Sequence, residues 1–282
     1  MEAFERLVEV QARLRKECPW DRKQTYESLR PNTIEEVFEL ADALMKRDVK
    51  NIRKELGDLM EHVIFYAMLG EETADFDMAD VCNGQSDKLM FRHDFIDWTG
   101  WKVSNPDMRV NKRGQVVYKD EEDTAETSPE TAEEVMMTWE KRKQKERDGN
   151  ASVLSGVPDS LPSIIKAYRV QDKARNVGFD WQQREDVWHK VREELGELEA
   201  ELKKEDKARS EAELGDFLFS VINAARLYHL NPDNALERTN QKFIDRFSYI
   251  EAKAAEVGKA LGDMTLNEMD KFWNEAKSLE NK

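Results

Sequence analysis

Two cysteines, Cys18 and Cys82, are too few for a disulfide framework, and no Cys/His cluster accompanies the acidic residues to suggest zinc. The four histidines, His62, His93, His189 and His229, are scattered and carry no triad pattern. There is no glycine-rich phosphate loop, so any phosphate binding must run through cations. No window approaches the roughly 18 consecutive apolar residues that a membrane span requires. The N-terminal MEAFERLVEVQARLRKE is charged and amphipathic, unlike a signal peptide, so the expected compartment is the cytoplasm and no membrane partner is expected. Lysine and arginine number 44 against 59 acidic residues, a net charge of −15, which argues against strong nucleic-acid binding. With only seven prolines and 12 glycines in 282 residues, and with Glu, Lys, Ala and Leu abundant, the chain reads as helical.

What is present is a repeat. The tetrapeptide ELGD begins at Glu55 and again at Glu213, an offset of 158. The same offset places Glu35, Glu36 and Glu39 on Glu193, Glu194 and Glu197. Upstream, PWDRKQT faces GFDWQQR after a one-residue slip; downstream, Lys88-x-x-x-Arg92 resembles Lys242-x-x-x-Arg246 at offset 154. Agreement across four segments indicates duplication. The fold expected is all-α, two tandem helical-bundle units at 1–95 and 161–282. Residues 96–160 form the connection, with one helix and a hairpin or ordered loop within NKRGQVVYKDEED. Helices are expected near 2–16, 33–47, 49–70 and 77–93, then 161–175, 184–204, 206–229, 233–257 and 265–279. Pro31, Gly178, Pro232 and Gly262 fall at the breaks, and GNASVLSGVPDSLPS is the expected linker.

The acidic pairs have a helical rationale. Val187, Val191, Leu195, Leu198 and Leu202 make an apolar stripe, bordered by Lys190, Glu194, Glu197 and Glu201. On the next helix Glu213, Asp216, Ser220 and Asn223 share one face. Two such helices packed antiparallel bring Glu194 and Glu197 to Glu213 and Asp216. Two like charges about 4 Å apart cost on the order of 4 kcal/mol at an effective dielectric of 20, so protons or cations must neutralise the group. All-oxygen ligation suits Mg²⁺ or Mn²⁺. Blander readings exist for each residue alone. Glu193 and Glu194 suit a solvated face, Thr33-x-x-Glu36 suits a capping box, Lys54–Asp58 suits an i,i+4 pair, and Trp273 suits packing. Joint occurrence in both copies weighs against them.

The stretches ECPWDRKQTYESLRPNTIEEVFELADAL, KELGDLMEHVIFYA, NVGFDWQQ and AELGDFLFSVINAAR resemble the MazG nucleoside triphosphate pyrophosphohydrolases, of the all-α NTP pyrophosphohydrolase group. The resemblance spans nearly the whole chain apart from about 95–128, where RHDFIDWTGWKVSNPD replaces the short His-Pro segment common in relatives. It implies a usually dimeric, Mg²⁺-dependent enzyme splitting NTPs or dNTPs into monophosphate and pyrophosphate. It also implies metal ligands at Glu36, Glu39, Glu55 and Asp58, and at Glu194, Glu197, Glu213 and Asp216. Nucleotide contacts fall on Lys190, Lys242, Arg246 and Trp273, and Arg209 takes a position often basic in relatives. Lys190, Arg209 and Asn223 correspond to Asn32, Asn51 and Phe65 in the first unit, so the second unit is expected to be the main catalytic one, with Glu193 as base and Lys190 beside it. The first is read as a weaker, more selective or largely structural copy. The rival readings are a non-catalytic nucleotide- or partner-binding module, a narrower dNTP pyrophosphohydrolase and a hydrolase of guanosine alarmones.

Overall fold

The computed structural model describes residues 2–121, 129–147 and 152–280. Among these, ten α-helices and one two-stranded sheet appear. The chain divides into two compact units, Met1–Gly149 and Asn150–Lys282. The first holds α1 (Glu2–Glu17), α2 (Tyr26–Lys46), α3 (Val49–Glu72), α4 (Met78–Arg92), β1 (Met108–Val110), β2 (Val116–Tyr118) and α5 (Ala132–Gln144). The second holds α6 (Ser163–Asn176), α7 (Val187–Lys203), α8 (Lys207–Leu227), α9 (Pro232–Glu256) and α10 (Leu266–Leu279).

The duplication extends to the backbone. The turn from α2 to α3 passes through Arg47 at φ 54°, and the turn from α7 to α8 passes through Glu205 at φ 58°, its equivalent at offset 158. A left-handed residue at a helix C-terminus reverses the chain within two residues, at a strain cost when it is not glycine. Asp48 and Asp206 then cap the following helices, accepting from Lys50 and Asn51 N–H groups and from the Arg209 N–H respectively. In each unit the result is an antiparallel helix pair, α2 with α3 and α7 with α8.

The first unit departs from expectation at α2, which starts at Tyr26 rather than near residue 33. Thr25 and Ser28 form a reciprocal capping box there, satisfying two N–H groups, and this start outweighs the hydrogen bond that Pro31 removes from the helix interior. Thr33 therefore caps nothing. Its Oγ1 donates to the Leu29 carbonyl and lies 2.6 Å from both His62 Nδ1 and Tyr66 Oη.

The hairpin pairs Met108 with Tyr118 and Val110 with Val116. Its inner side packs Met108, Val116 and Tyr118 on Met90 and Phe91 of α4. Gly114 makes the turn at φ 77°, where a Cβ would collide with Asp97. Glu122 and Asp123 of the expected loop, and Gly149, Asn150 and Ala151 of the expected linker, lie outside the described residues.

In the second unit α10 begins with a Thr265–Glu268 capping box, and Glu268 also accepts two bonds of 2.8 Å from Lys259 Nζ. The Lys259 bond first, then the Thr265 backbone and side chain, hold the Glu268 carboxyl down at about 2, against an ordinary 4.5. A depressed carboxylate contributes stability above its unfolded value and loses it as pH falls toward the folded value. Glu268→Gln is therefore expected to lower the melting temperature at pH 7. Melting curves from pH 7 to pH 2 check this: the gap between variant and wild type closes below about 4.5.

Candidate metal and nucleotide site

Glu36 and Glu39 project from α2 and Glu55 from α3; one oxygen of each lies within 4.8 Å of the others. In the second unit Glu194 of α7 meets Glu213 and Asp216 of α8 in the same way. The E-E-x-x-E and E-x-x-D spacings do this because residues three and four apart share a helix face, and the tight α2–α3 and α7–α8 turns set the two faces opposite. Each cluster has one deep member. Glu55 is 4% exposed and Glu194 6%, whereas Asp216 and Glu197 are exposed.

The clusters therefore sit at the surface of each helix pair, although the apolar stripe beside Glu194 and Glu197 reads in the sequence as a face buried in the bundle. Burial along α7 follows Val187, Val191, Glu194 and Leu198, while Leu195 and Leu202 face outward. The run after Asp216 likewise buries only Ser220, Ile222, Ala224 and Arg226, with Leu218 52% and Phe219 44% exposed.

The two clusters meet their electrostatic demand differently. In the first, Lys54 Nζ stands 3.1 Å from Glu55, 3.4 Å from Asp58 and 3.9 Å from Glu39. It ties Asp58 to Glu39 and Glu55, a larger role than an i,i+4 pair. Burial, followed by the charges of Asp58, Glu39 and Glu55, still pushes the Glu36 carboxyl above its ordinary value. Glu36 Oε2 is buried without a hydrogen-bond partner. In the second, the position of Lys54 is taken by Ala212, at offset 158. Lys190 instead approaches from the flank, 2.6 Å from Glu194 and 3.0 Å from Glu193, and these acids hold its ammonium well above the ordinary range. Glu197 is pushed up by desolvation and by the Glu194, Glu213 and Glu193 charges.

An excess of convergent carboxylate oxygens, an orphaned buried oxygen on Glu36 and raised acid pKa values all fit a hard divalent cation ligated by oxygen. A cleft of about 430 Å³ opens beside the first cluster, lined by Phe38, Glu39, Asp42, Asn51 and Glu55. In the second unit Glu201 extends the acidic line. Its Oε1 accepts from Lys204 at 2.6 Å and its Oε2 is buried without a partner.

The remaining candidates fall into three places. Arg209 lies in the first turn of α8, 3.4 Å from the capping Asp206. Asn223 accepts from Arg226 at 2.9 Å, and Arg226 in turn forks onto Asp180. Lys242, Arg246 and Trp273 form a group on α9 and α10. Arg246 makes a two-pronged pair with Glu280 at 2.8 and 2.6 Å, and its guanidinium carbon is 5.2 Å from the centre of the Trp273 ring. Glu280 escaped the sequence reading, as did the cluster role of Lys54.

Two copies of the MazG nucleotide pyrophosphohydrolase domain match the chain, at residues 24–96 and 182–250. The chain belongs to the MazG nucleotide pyrophosphohydrolase family. The matched segments of this MazG chain contain all six clustered carboxylates, together with Asp58 and Glu197. It is 34% identical over 287 residues to a nucleoside triphosphate pyrophosphohydrolase of Escherichia coli K12, covering 99% of each chain. It is 33% identical to the nucleoside triphosphate pyrophosphohydrolase/pyrophosphatase MazG of Thermotoga maritima, covering 97% of this chain and 95% of that one. An uncharacterized Bacillus subtilis protein, YabN, is 39% identical over 93% of this chain and 49% of its own.

Lys54 acts as a built-in cation for the first cluster. Lys54→Met is expected to lower the melting temperature in metal-free buffer of low ionic strength, since three carboxylates lose their shared partner. Added NaCl should shrink the loss by screening. A loss that is independent of salt would mean that Lys54 matters only for packing.

Proposed function

We propose that this MazG chain is a divalent-metal-dependent nucleoside triphosphate pyrophosphohydrolase that releases nucleoside monophosphate and pyrophosphate, a nucleotide-pool housecleaning activity, with its second unit as the main catalytic site. The observation that carries this reading is the Glu194–Glu213–Asp216 convergence with Lys190 at its edge and without a counterpart of Lys54 inside it. The names of the relatives from Escherichia coli and Thermotoga maritima support the reaction class.

Mg²⁺, or Mn²⁺ in its place, held by Glu194, Glu197, Glu213 and Asp216 would neutralise phosphate charge and acidify a nearby water. Glu193, exposed and next to Glu194, is the base that takes the proton of the attacking water. Lys190, Lys242 and Arg246 bind the phosphates and compensate the charge that moves onto departing pyrophosphate. For Arg246 this means exchanging the Glu280 carboxylate for a phosphate, which offers the same two-pronged acceptor geometry. Trp273 stacks on the base, Asn223 bonds the base or a phosphate through its amide, and Arg209 adds positive charge at the start of α8. The substrate is an NTP or dNTP.

The protein acts in solution as a homodimer in this proposal. Exposed apolar side chains support it: Val37, Phe38, Leu56, Met60 and Val63 on α2 and α3, and Leu195, Leu202, Leu214 and Leu218 on α7 and α8. Apolar side chains left exposed along a helix pair are suited to burial against a second copy.

Hydrolysis of GTP with Mg²⁺ in ¹⁸O-labelled water tests the reading, with products resolved by mass spectrometry. Label in GMP with unlabelled pyrophosphate is expected, since attack falls on the α-phosphorus. Glu213→Gln should cut formation of labelled GMP by at least the roughly 10- to 100-fold that losing a metal ligand's supporting partner costs. Glu55→Gln should leave most of it. GDP as the first product, or binding without turnover, would overturn the enzyme assignment, and equal losses from both variants would overturn the inequality of the units.

A further inference from the structure

The Arg246–Glu280–Trp273 arrangement occurs twice. In the first unit Arg92 makes the same two-pronged pair with Glu146, Nε to Oε1 at 2.5 Å and Nη2 to Oε2 at 2.8 Å. Its guanidinium carbon lies 4.6 Å from the centre of the Trp139 ring, against 5.2 Å for Arg246 over Trp273. The spacing agrees throughout. Thr131, Glu134, Trp139 and Glu146 correspond to Thr265, Glu268, Trp273 and Glu280 at a constant offset of 134. Both threonines are N-caps in capping boxes closed by those glutamates. Helix α5, which reads as part of a connecting segment, is thus the first unit's counterpart of α10.

The relation is hidden by an insertion. From Arg246 to Thr265 is 19 residues and from Arg92 to Thr131 is 39, the extra 20 belonging to the stretch that carries the hairpin. Both copies of the matched family domain end before this helix. The insertion does not detach α5. Arg142 of α5 is buried, pairs with Asp94 at 2.5 Å and lies over the Phe91 ring at 5.1 Å, which holds the helix against the end of α4.

Lys88 completes the set, one turn before Arg92 as Lys242 is one turn before Arg246. Lys88 is exposed, and with Glu146 it borders a cleft of about 650 Å³ between α4 and the segment leading into β1. Of the acids bordering the cleft, Asp87 is already taken up by the N–H groups of Ser104 and Asn105 at 2.7–3.1 Å and Asp80 accepts from the Asp77 N–H, while Asp107 and Glu146 complete the set. A second cation, Lys143, stands 5.1 Å from the Trp139 ring centre. An aromatic face bordered by cations, one of them held in a fork by an exchangeable carboxylate, matches a base next to phosphates.

We infer that the first unit carries a second nucleoside-phosphate site, in which Lys88 and Arg92 take the phosphates, Trp139 takes the base, and Glu146 holds Arg92 in position until a phosphate replaces it. This rests on the reading of Lys242, Arg246 and Trp273 as nucleotide contacts in the second unit. The site binds without fast turnover, because Lys54 already pairs with Glu39 and Glu55 of the three-carboxylate group that the first unit brings together among its described residues, and with Asp58 beside it. The ligand class is a nucleoside di- or triphosphate.

The test counts bound α,β-methylene-GTP, which lacks the cleavable bridge, on the full chain with Mg²⁺ by equilibrium dialysis. Wild type should hold two per chain, Lys88→Ala one, and Arg246→Gln one. Lys88 is exposed on α4, so a melting temperature like that of wild type should accompany its variant; Trp139→Leu provides an independent second removal of the same ligand. One ligand per chain in wild type, unchanged by Lys88→Ala and abolished by Arg246→Gln, would overturn the second site and leave the proposed function standing. Two ligands in wild type with neither lost by Lys88→Ala or Trp139→Leu would also overturn it. Retention of both by Arg246→Gln would instead strike at the nucleotide contacts of the second unit.

Discussion

Carboxylates gathered in threes, with oxygens within 4.8 Å, are the constraint on which the rest of this structure depends. Each like-charge contact of that length opposes folding by kilocalories unless a cation intervenes. The deep acid of each cluster, Glu55 or Glu194, cannot turn away into water. The chain contains two answers. Lys54 enters the first cluster from within α3, while Lys190 touches the second only at Glu193 and Glu194 and leaves Glu213, Asp216 and Glu197 without a lysine among them. Closely similar helix pairs thereby differ in how far a lysine of the chain itself neutralises the acids.

The scaffold that imposes the clustering is repeated in detail. Left-handed Arg47 and Glu205, capping Asp48 and Asp206, and the Thr131 and Thr265 capping boxes all recur at matching positions. Short reversals fix which faces of neighbouring helices meet, so a carboxylate spacing written on two helices becomes a cluster in space. The forked Arg92–Glu146 and Arg246–Glu280 pairs extend the same logic. A carboxylate just past the end of α5 or α10 holds a guanidinium in a two-pronged fork, a geometry that arginine also uses toward phosphate.

Much of this was legible in the residues. The ELGD repeat, the offset of 158 and the E-E-x-x-E spacing led to the helix pairs and to the acids that converge, because helical periodicity alone decides which side chains share a face. Three things were not legible, for three physical reasons. The start of α2 depended on whether the Thr25–Ser28 capping box, worth about 1 kcal/mol, and the burial of Leu29 could together outweigh Pro31, which costs about 3 kcal/mol inside a helix. The outward turn of Leu195, Leu202 and Leu218 depended on how few elements cover the helix pair, which periodicity does not report. The kinship of α5 with α10 was masked because 20 extra residues shift its offset from 154 to 134; the T-x-x-E-x-x-x-x-W signal itself stands plainly in both copies.

The most direct test of the account is a count of Mn²⁺ ions bound to the nucleotide-free chain, by electron paramagnetic resonance titration. The double variants Glu194→Gln with Glu213→Gln, and Glu36→Gln with Glu55→Gln, are compared with wild type. The tighter class of Mn²⁺ should vanish with the first pair and persist with the second, because Lys54 already occupies the first cluster. Tight binding that survives the loss of Glu194 and Glu213, or that disappears with Glu36 and Glu55, would contradict it.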